Sequence, residues 1–188
     1  MIGTEKKGQV HFKWNGNPQK IQENFQAIKN QLLKEVAPFT RNMEKRGGGI
    51  NEIQLKHLPG IHPGYFQIDV SFETRDAMGA NLVNSAAEAA RPVVERITGG
   101  RVLMAILTNS ARRRTVSARF ELPLSALRRG NLSGDEIAGR IVKANDFAME
   151  DKDRAVTHNK GIMNGVTSVT LATCNDTRAV EAACHAYA

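Results

Sequence analysis

An α+β fold is predicted by three features of residues 8–108: two period-two apolar runs, two long stretches with helical spacing, and a continuous apolar strand. Their order is β-α-β-β-α-β, the split βαβ, ferredoxin-like arrangement, in which a four-stranded sheet carries both helices on one face. Beyond residue 110 the pattern becomes mostly helical.

The elements follow in order. In "QVHFKW", Val10, Phe12 and Trp14 share one face, as in a half-buried strand. Asn15–Gly16 turns the chain, and Asn17–Pro18 reads as an N-cap with proline in the first helical position. Ile21, Phe25, Ile28, Leu32 and Val36 then recur at spacings of four and three, which predicts an amphipathic helix. Pro38 is expected to break that helix or start a second segment, and the triple glycine at 47–49 to end it. "NEIQLKHLPG" predicts a strand. "YFQIDVSFET" predicts another, with Phe66, Ile68, Val70 and Phe72 on one face. A second helix is expected from Asp76 to Thr98, with Leu82, Ala86, Ala89, Val93 and Ile97 inward and a kink at Pro92. "GG" closes it. "RVLMAILT" is almost continuously apolar and predicts a central strand. Farther on, "TVSARFELPL" allows a strand, "GDEIAGRIVKANDFAMED" predicts a helix, and "THNKGIMNGV" a short helix or turn. The chain stops in helical sequence at "EAACHAYA", which suggests a fragment of a longer protein.

The composition is that of a globular chain: 188 residues, 41% hydrophobic and 24% charged. No apolar run is long enough to span a membrane, and the N-terminus lacks the apolar stretch of a signal peptide. Cys174 and Cys184 match neither a disulfide framework nor zinc-ligand spacing, so no metal site is expected and a reduced, cytoplasmic setting is the default. The net charge of +7 suits a nucleic acid, an acidic surface or a phosphate-bearing small molecule. Arg112, Arg113 and Arg114 read either as a solvated turn or as a phosphate contact.

Two constellations carry chemistry. "DAMGAN" follows a strand and opens a helix, where free N–H groups and the dipole suit an anion and Gly79 lets a ligand approach the backbone. The bland alternative is an Asp76 cap with a small residue for packing. In "THNKGIMNGV", Lys160 and Asn164 share a helical face. A lysine held there can stabilise charge on a carbonyl oxygen, and Asp176, if beside it, would keep the ammonium charged. Arg154 could clamp a carboxylate. Each of these also fits an ordinary surface residue.

"DAMGANLVN", "ITGGRVLMAILTNSA", "HNKGIMNGV" and "NDTRAVEAACHAYA", in this order, resemble the degradative-type, class II hydroxymethylglutaryl-CoA reductases, from about Gly8 onward. The resemblance implies a ferredoxin-like dinucleotide-binding domain (8–109) embedded in a larger catalytic domain, to which 1–7 and 110–188 belong. It implies that Lys160 is the catalytic lysine, Asp176 the acid that supports it and Asn109 an active-site asparagine. Arg154 and Asn164 hold the hydroxymethylglutaryl group, and Asp76, Met78, Gly79 and Asn81 bind the dinucleotide. Glu52 stands where NAD-using relatives place an aspartate for the adenosine ribose, so NAD is the expected cofactor and NADP the alternative. The implied reaction interconverts hydroxymethylglutaryl-CoA with mevalonate and CoA, in an enzyme that is at least a homodimer with shared active sites. The family's "ENVIG"-like glutamate and C-terminal histidine have no counterpart, so residues 1–188 alone are expected to be inactive.

A basic ferredoxin-like RNA-binding module is the contrasting reading. It needs aromatics exposed on the central strands, whereas Phe66 and Phe72 share the core-facing side, so neither nucleic acid nor membrane is expected as a partner. A free-standing nucleotide-binding module is the third, opposed by the match of 110–188 to the catalytic domain.

Overall fold

A computed structural model describes residues 3–188, so Met1 and Ile2 of the expected 1–7 segment lie outside the described residues. The chain divides into two compact units, one ending at Val116 and the other spanning Ser117–Ala188. Sequence reading put the boundary at 109/110.

The first unit holds β1 (Glu5–Lys13), α1 (Pro18–Glu23), α2 (Phe25–Glu44), β2 (Gly49–His57), β3 (Tyr65–Glu73), α3 (Ala80–Thr98) and β4 (Arg101–Thr108). The four strands form one sheet in the order β2-β3-β1-β4, and every neighbouring pair is antiparallel. This is the α+β, ferredoxin-like architecture expected. Val10, Phe12, Phe66, Ile68 and Phe72 point to one face and pack against Ile28, Leu32 and Val36 of α2 and Val83, Ala90 and Val93 of α3. The rings of Phe12 and Phe66 stack at 5.6 Å across the central strand pair.

Several details differ from expectation. Asn17 caps α1 and Pro18 takes the first turn as foreseen, but the first helix is interrupted at Asn24 rather than at Pro38. α2 runs through Pro38, whereas α3 runs through Pro92 as expected. Both prolines, and the residues four positions before them (Lys34 and Glu88), are exposed, so water can hydrate the carbonyls that lose their donor. α3 begins at Ala80, not Asp76, and its buried stripe is Val83, Ala86, Ala87, Ala90, Val93 and Val94. Leu82, Ala89 and Ile97 lie at its margins.

β4 is an outer strand, not a central one. Leu103, Met104 and Ile106 are about half exposed. Its edge is partly covered by side chains of α3: Val102 N–H donates to Glu95 Oε1 and Leu107 N–H to Asn84 Oδ1, both at 2.9 Å. Side-chain acceptors of this kind blunt an edge that would otherwise template another strand.

The second unit contains α4 (Leu124–Leu127), α5 (Gly134–Glu150), α6 (Lys152–Ala172) and α7 (Thr177–Tyr187). "TVSARFELPL" forms no strand. Its alternating Val116, Phe120 and Leu122 are exposed, and no described strand pairs with it. "THNKGIMNGV" is neither a short helix nor a turn but the middle of the 21-residue α6. A side chain at Gly161 or Gly165 would meet open space, so these glycines cost helix propensity without marking an end. The ends of α6 are set elsewhere, by the Asp151 side chain accepting from Asp153 N–H and by a left-handed turn after Thr173.

On the sheet face turned away from the helices sits a buried carboxylate. Asp69 is 1% exposed, and Lys56 Nζ lies 2.6 Å and Lys7 Nζ 3.6 Å from its Oδ2. Gln9 and Gln67 donate to Oδ1. Burial pushes the Asp69 carboxyl up, but the hydrogen bonds from Lys56, Gln67 and Gln9 outweigh it and hold it below its ordinary 3.8. Because the folded-state value is depressed, the stabilisation is present above 3.8 and is lost as pH falls through the folded value. Asp69→Asn should therefore lower stability by about 2 kcal/mol at neutral pH. Urea midpoints of the two proteins should converge below pH 3.8, whereas a pH-independent gap would contradict this role for the carboxylate.

Candidate functional site

Antiparallel register decides which sequence-predicted residues meet in the first unit. Glu5 lies opposite Glu73, Gly49 opposite Glu73, and Lys7 opposite Thr108. The starts of β1 and β2 and the ends of β3 and β4 therefore share one end of the sheet. Glu52 in β2, the 76–81 segment after β3 and Asn109 after β4 are all brought to that end.

The chain leaves β3 through a tight turn. Arg75 adopts φ 54, Ala77 N–H donates to Thr74 O at 3.0 Å, and Gly79 adopts φ 79 as the residue before α3. A β-carbon at Gly79 would also come 2.7 Å from Thr74 Cγ2, so position 79 excludes side chains on two counts. Asp76 lies in this turn and is not the helix cap. In fact α3 has no side-chain cap, whereas α1, α5, α6 and α7 are each capped by an Asn, Ser or Asp. Its first N–H groups are left for another acceptor.

Side chains fasten the turn from behind. Arg75 Nε donates to Gly47 O at 2.8 Å, tying it to the triple glycine. Arg114 donates to Ala77 O at 3.0 Å, Met78 O at 3.3 Å and the Thr74 hydroxyl. The Thr4 hydroxyl and Arg75 N–H donate to Glu73 and hold its carboxyl below the usual range. Partial burial lowers the Arg114 pKa, and the Glu73 charge opposes that shift. Asp76 and Met78 remain exposed on the outer side.

Glu52 is half-buried beside a β-bulge, opposite Ser71, and accepts from Gln54 Nε2 at 2.6 Å. It lines a polar cleft of about 360 Å³ shared with Glu5, Lys7, Lys56, Asp69 and Arg112. Of the three consecutive arginines, Arg113 pairs with Glu5 at 3.2 Å and Arg114 clamps the turn. The solvated-turn reading does not describe Arg114.

In the second unit, Arg154, Lys160 and Asn164 are exposed on α6. Lys160 and Asn164 lie about 40° apart around the helix, on one face, with Arg154 on an adjoining one. Asp176 is the N-cap of α7, where Oδ1 accepts from Ala179 N–H at 3.0 Å. Between the helices, Cys174 N–H donates to Leu171 O and Asn175 N–H to Thr170 O, the paired bonds of a Schellman turn. Thr170 is ten residues beyond Lys160, roughly 15 Å along the axis. Among the described residues Lys160 makes no ion pair, so one chain does not show the lysine and aspartate in contact.

The family model for hydroxymethylglutaryl-coenzyme A reductase matches residues 4–188. The chain belongs to this family. It is 35% identical over 180 residues to a probable 3-hydroxy-3-methylglutaryl-coenzyme A reductase of Borreliella burgdorferi, covering 96% of this chain and 41% of that one. It is 33% identical over 181 residues to the reductase of Archaeoglobus fulgidus, covering 96% and 40%. Among solved structures, the reductase of Streptococcus pneumoniae superposes with a TM-score of 0.80 at 35% identity, over 98% of this chain and 50% of that one. A class II enzyme of the same organism, described as bound to NADPH in open conformations, superposes equally well. The chain thus spans about half the length, or less, of the reductases it matches.

Sequence reading missed the Asp69 network and the clamp by Arg114. For Asp69 a signal was present, since an acid in the middle of a strongly alternating strand has to find cations on its neighbours. For Arg114 there was none, because its acceptors are carbonyls some 37 positions away.

Cys174 is a non-glycine residue at φ 54, in the turn that delivers Asp176. Cys174→Gly should raise stability by about 1 kcal/mol by relieving the left-handed conformation. The readout is thermal unfolding, and an unchanged or lower midpoint would show that the turn carries no such strain.

Proposed function

We propose that the protein is a class II-type reductase that interconverts hydroxymethylglutaryl-CoA with mevalonate and CoA, working in the cytoplasm as a homodimer or larger assembly. The carrying observation is that family membership extends over both units, so the dinucleotide-type turn and the lysine-bearing helix occur in one chain. The activity is assigned to a polypeptide of the relatives' length. The 188-residue chain, which has no "ENVIG"-like glutamate and no C-terminal histidine of the family type, is expected to be inactive alone.

The residues at the end of the sheet fit a dinucleotide. The uncapped start of α3 offers N–H groups to a pyrophosphate, and left-handed Gly79 brings backbone rather than side chain to it. Asp76, Met78 and Asn81 flank that position. Glu52 is assigned to accept from a ribose hydroxyl, a role that favours NADH over NADPH because a 2′-phosphate would meet its carboxylate. A reduced nicotinamide dinucleotide, when bound, supplies the hydride for each of the two reductions.

Lys160 sets its ammonium where negative charge develops on the thioester and then the aldehyde oxygen. Asn164, on the same face, and Arg154 orient the hydroxymethylglutaryl carboxylate and hydroxyl. Asn109 hydrogen-bonds at the reacting carbonyl. Asp176 keeps Lys160 charged, and we place that contact between two chains, because α6 separates the two residues along its length within one. Exposed Ile141, Val142, Phe147, Ile162 and Val169 on the helices of the second unit support such an assembly.

Three measurements test this in the full-length enzyme. Lys160→Met should lower turnover by about a thousandfold while dinucleotide binding persists. Wild-type activity in that variant would remove the lysine from the chemistry. Mixing inactive Lys160→Ala with inactive Asp176→Ala should restore up to about a quarter of wild-type activity, because half the dimers would then hold one complete site. No recovery after verified subunit exchange would return the pair to a single chain. Titrations should give tighter binding of NADH than of NADPH, and the reverse would overturn the role of Glu52.

A further inference from the structure

Arg114 lies outside every motif that carries the family resemblance, yet it donates three hydrogen bonds to the 74–79 turn. Its Nη2 donates to Ala77 O and to the hydroxyl of buried Thr74, and its Nη1 to Met78 O. Two successive peptide carbonyls therefore face one guanidinium. In a trans peptide the N–H of the following residue points opposite to the carbonyl. Turning Ala77 O and Met78 O toward Arg114 thus turns the N–H groups of Met78 and Gly79 away from it, in the residues just before the uncapped start of α3. Neither N–H has a hydrogen-bond partner among the described residues.

The arrangement has few substitutes. The planar guanidinium serves the carbonyls and the hydroxyl from two nitrogens held in a fixed fork, whereas a lysine would have to reach all three acceptors from a single nitrogen. Thr74 is anchored in turn, its N–H and hydroxyl both donating to Thr4 O at 3.2 and 3.0 Å. Without Arg114 the two peptide planes would be free to rotate, and the N–H pair would lose its fixed direction.

From this geometry we infer that Arg114 is a positioning residue, which orients the Met78 and Gly79 amides as a preformed receptor for the pyrophosphate of the dinucleotide. The inference rests on the dinucleotide reading above, but it acts through the backbone and not through contact with the ligand. Pre-setting the amides removes an ordering cost from binding, so the effect belongs in dinucleotide affinity.

The test uses the full-length protein with Arg114→Met and Arg114→Lys. Arg114→Met should weaken NADH and NADPH binding at least tenfold and speed amide exchange at Ala77, with acyl-CoA binding unchanged. Arg114→Lys should recover part of the affinity. Inorganic pyrophosphate should shift the Met78 and Gly79 amide resonances in the wild type and not in Arg114→Met. Unaltered exchange and affinity in Arg114→Met, or unshifted amides in the wild type, would overturn the inference. If pyrophosphate moved those amides in an Arg114-dependent way while no nicotinamide dinucleotide bound, the positioning role would stand and the cofactor reading would fall.

Discussion

The pairing of β1 with β3 is the constraint on which the first unit depends. These two strands form the middle of the sheet, and the register that sets Val10 beside Ile68 and Phe12 beside Phe66 fills the core on one face. The same register sets Gln9 beside Asp69 on the other face. A slip by one residue would exchange the faces, driving Asp69 into the apolar core and Phe66 into the polar cleft. The buried carboxylate and the stacked rings therefore enforce the same alignment from opposite sides. That alignment also fixes which strand ends coincide. Glu52, the turn after β3 and Asn109 lie toward one end of the sheet because Glu5 and Gly49 both lie opposite Glu73 and Lys7 lies opposite Thr108.

Much of this was legible in the sequence because alternation and helical spacing are local signals. The four strands and two helix regions of the first unit can be read from Val10 to Thr108, and their order limits the topology. What misled was residue chemistry judged without its surroundings. Proline removes a donor wherever it sits, but Pro38 falls on a face where water replaces that donor, and α2 continues. An unbroken apolar run argues for a central strand only if both faces are covered, and β4 has one face half open. "THNKGIMNGV", expected as a short helix or turn, continues through Gly161 and Gly165, and the signals that set the helix ends are the Asp151 cap and the turn at Cys174.

The candidate site was legible unevenly for a related reason. Long motifs point by resemblance to Lys160, Asp176 and the 76–81 segment, without saying how they are held. Holding depends on contacts distant in sequence. Lys56 and Lys7 reach Asp69 across two strands, and Arg114 reaches back to the turn after β3. Spacing rules see neither, since they describe neighbours on one element.

The second unit poses the opposite problem. Its helices are well marked, with Ser133, Asp151 and Asp176 each accepting from a first-turn N–H, but few of its side chains are buried. Capping fixes where a helix starts and does little to hold one helix against another, which requires apolar contact. Met163 and Thr170 alone on α6 are buried, while Val156, Ile162, Val169 and Leu171 stay exposed. Lys160 and Asn164 project from a helix so sparsely packed that other polypeptide has to surround them before an ammonium there can act in a low-dielectric setting. Surface lysines are solvated and stabilise an oxyanion poorly. The chemistry proposed for Lys160 thus depends on further polypeptide covering α6.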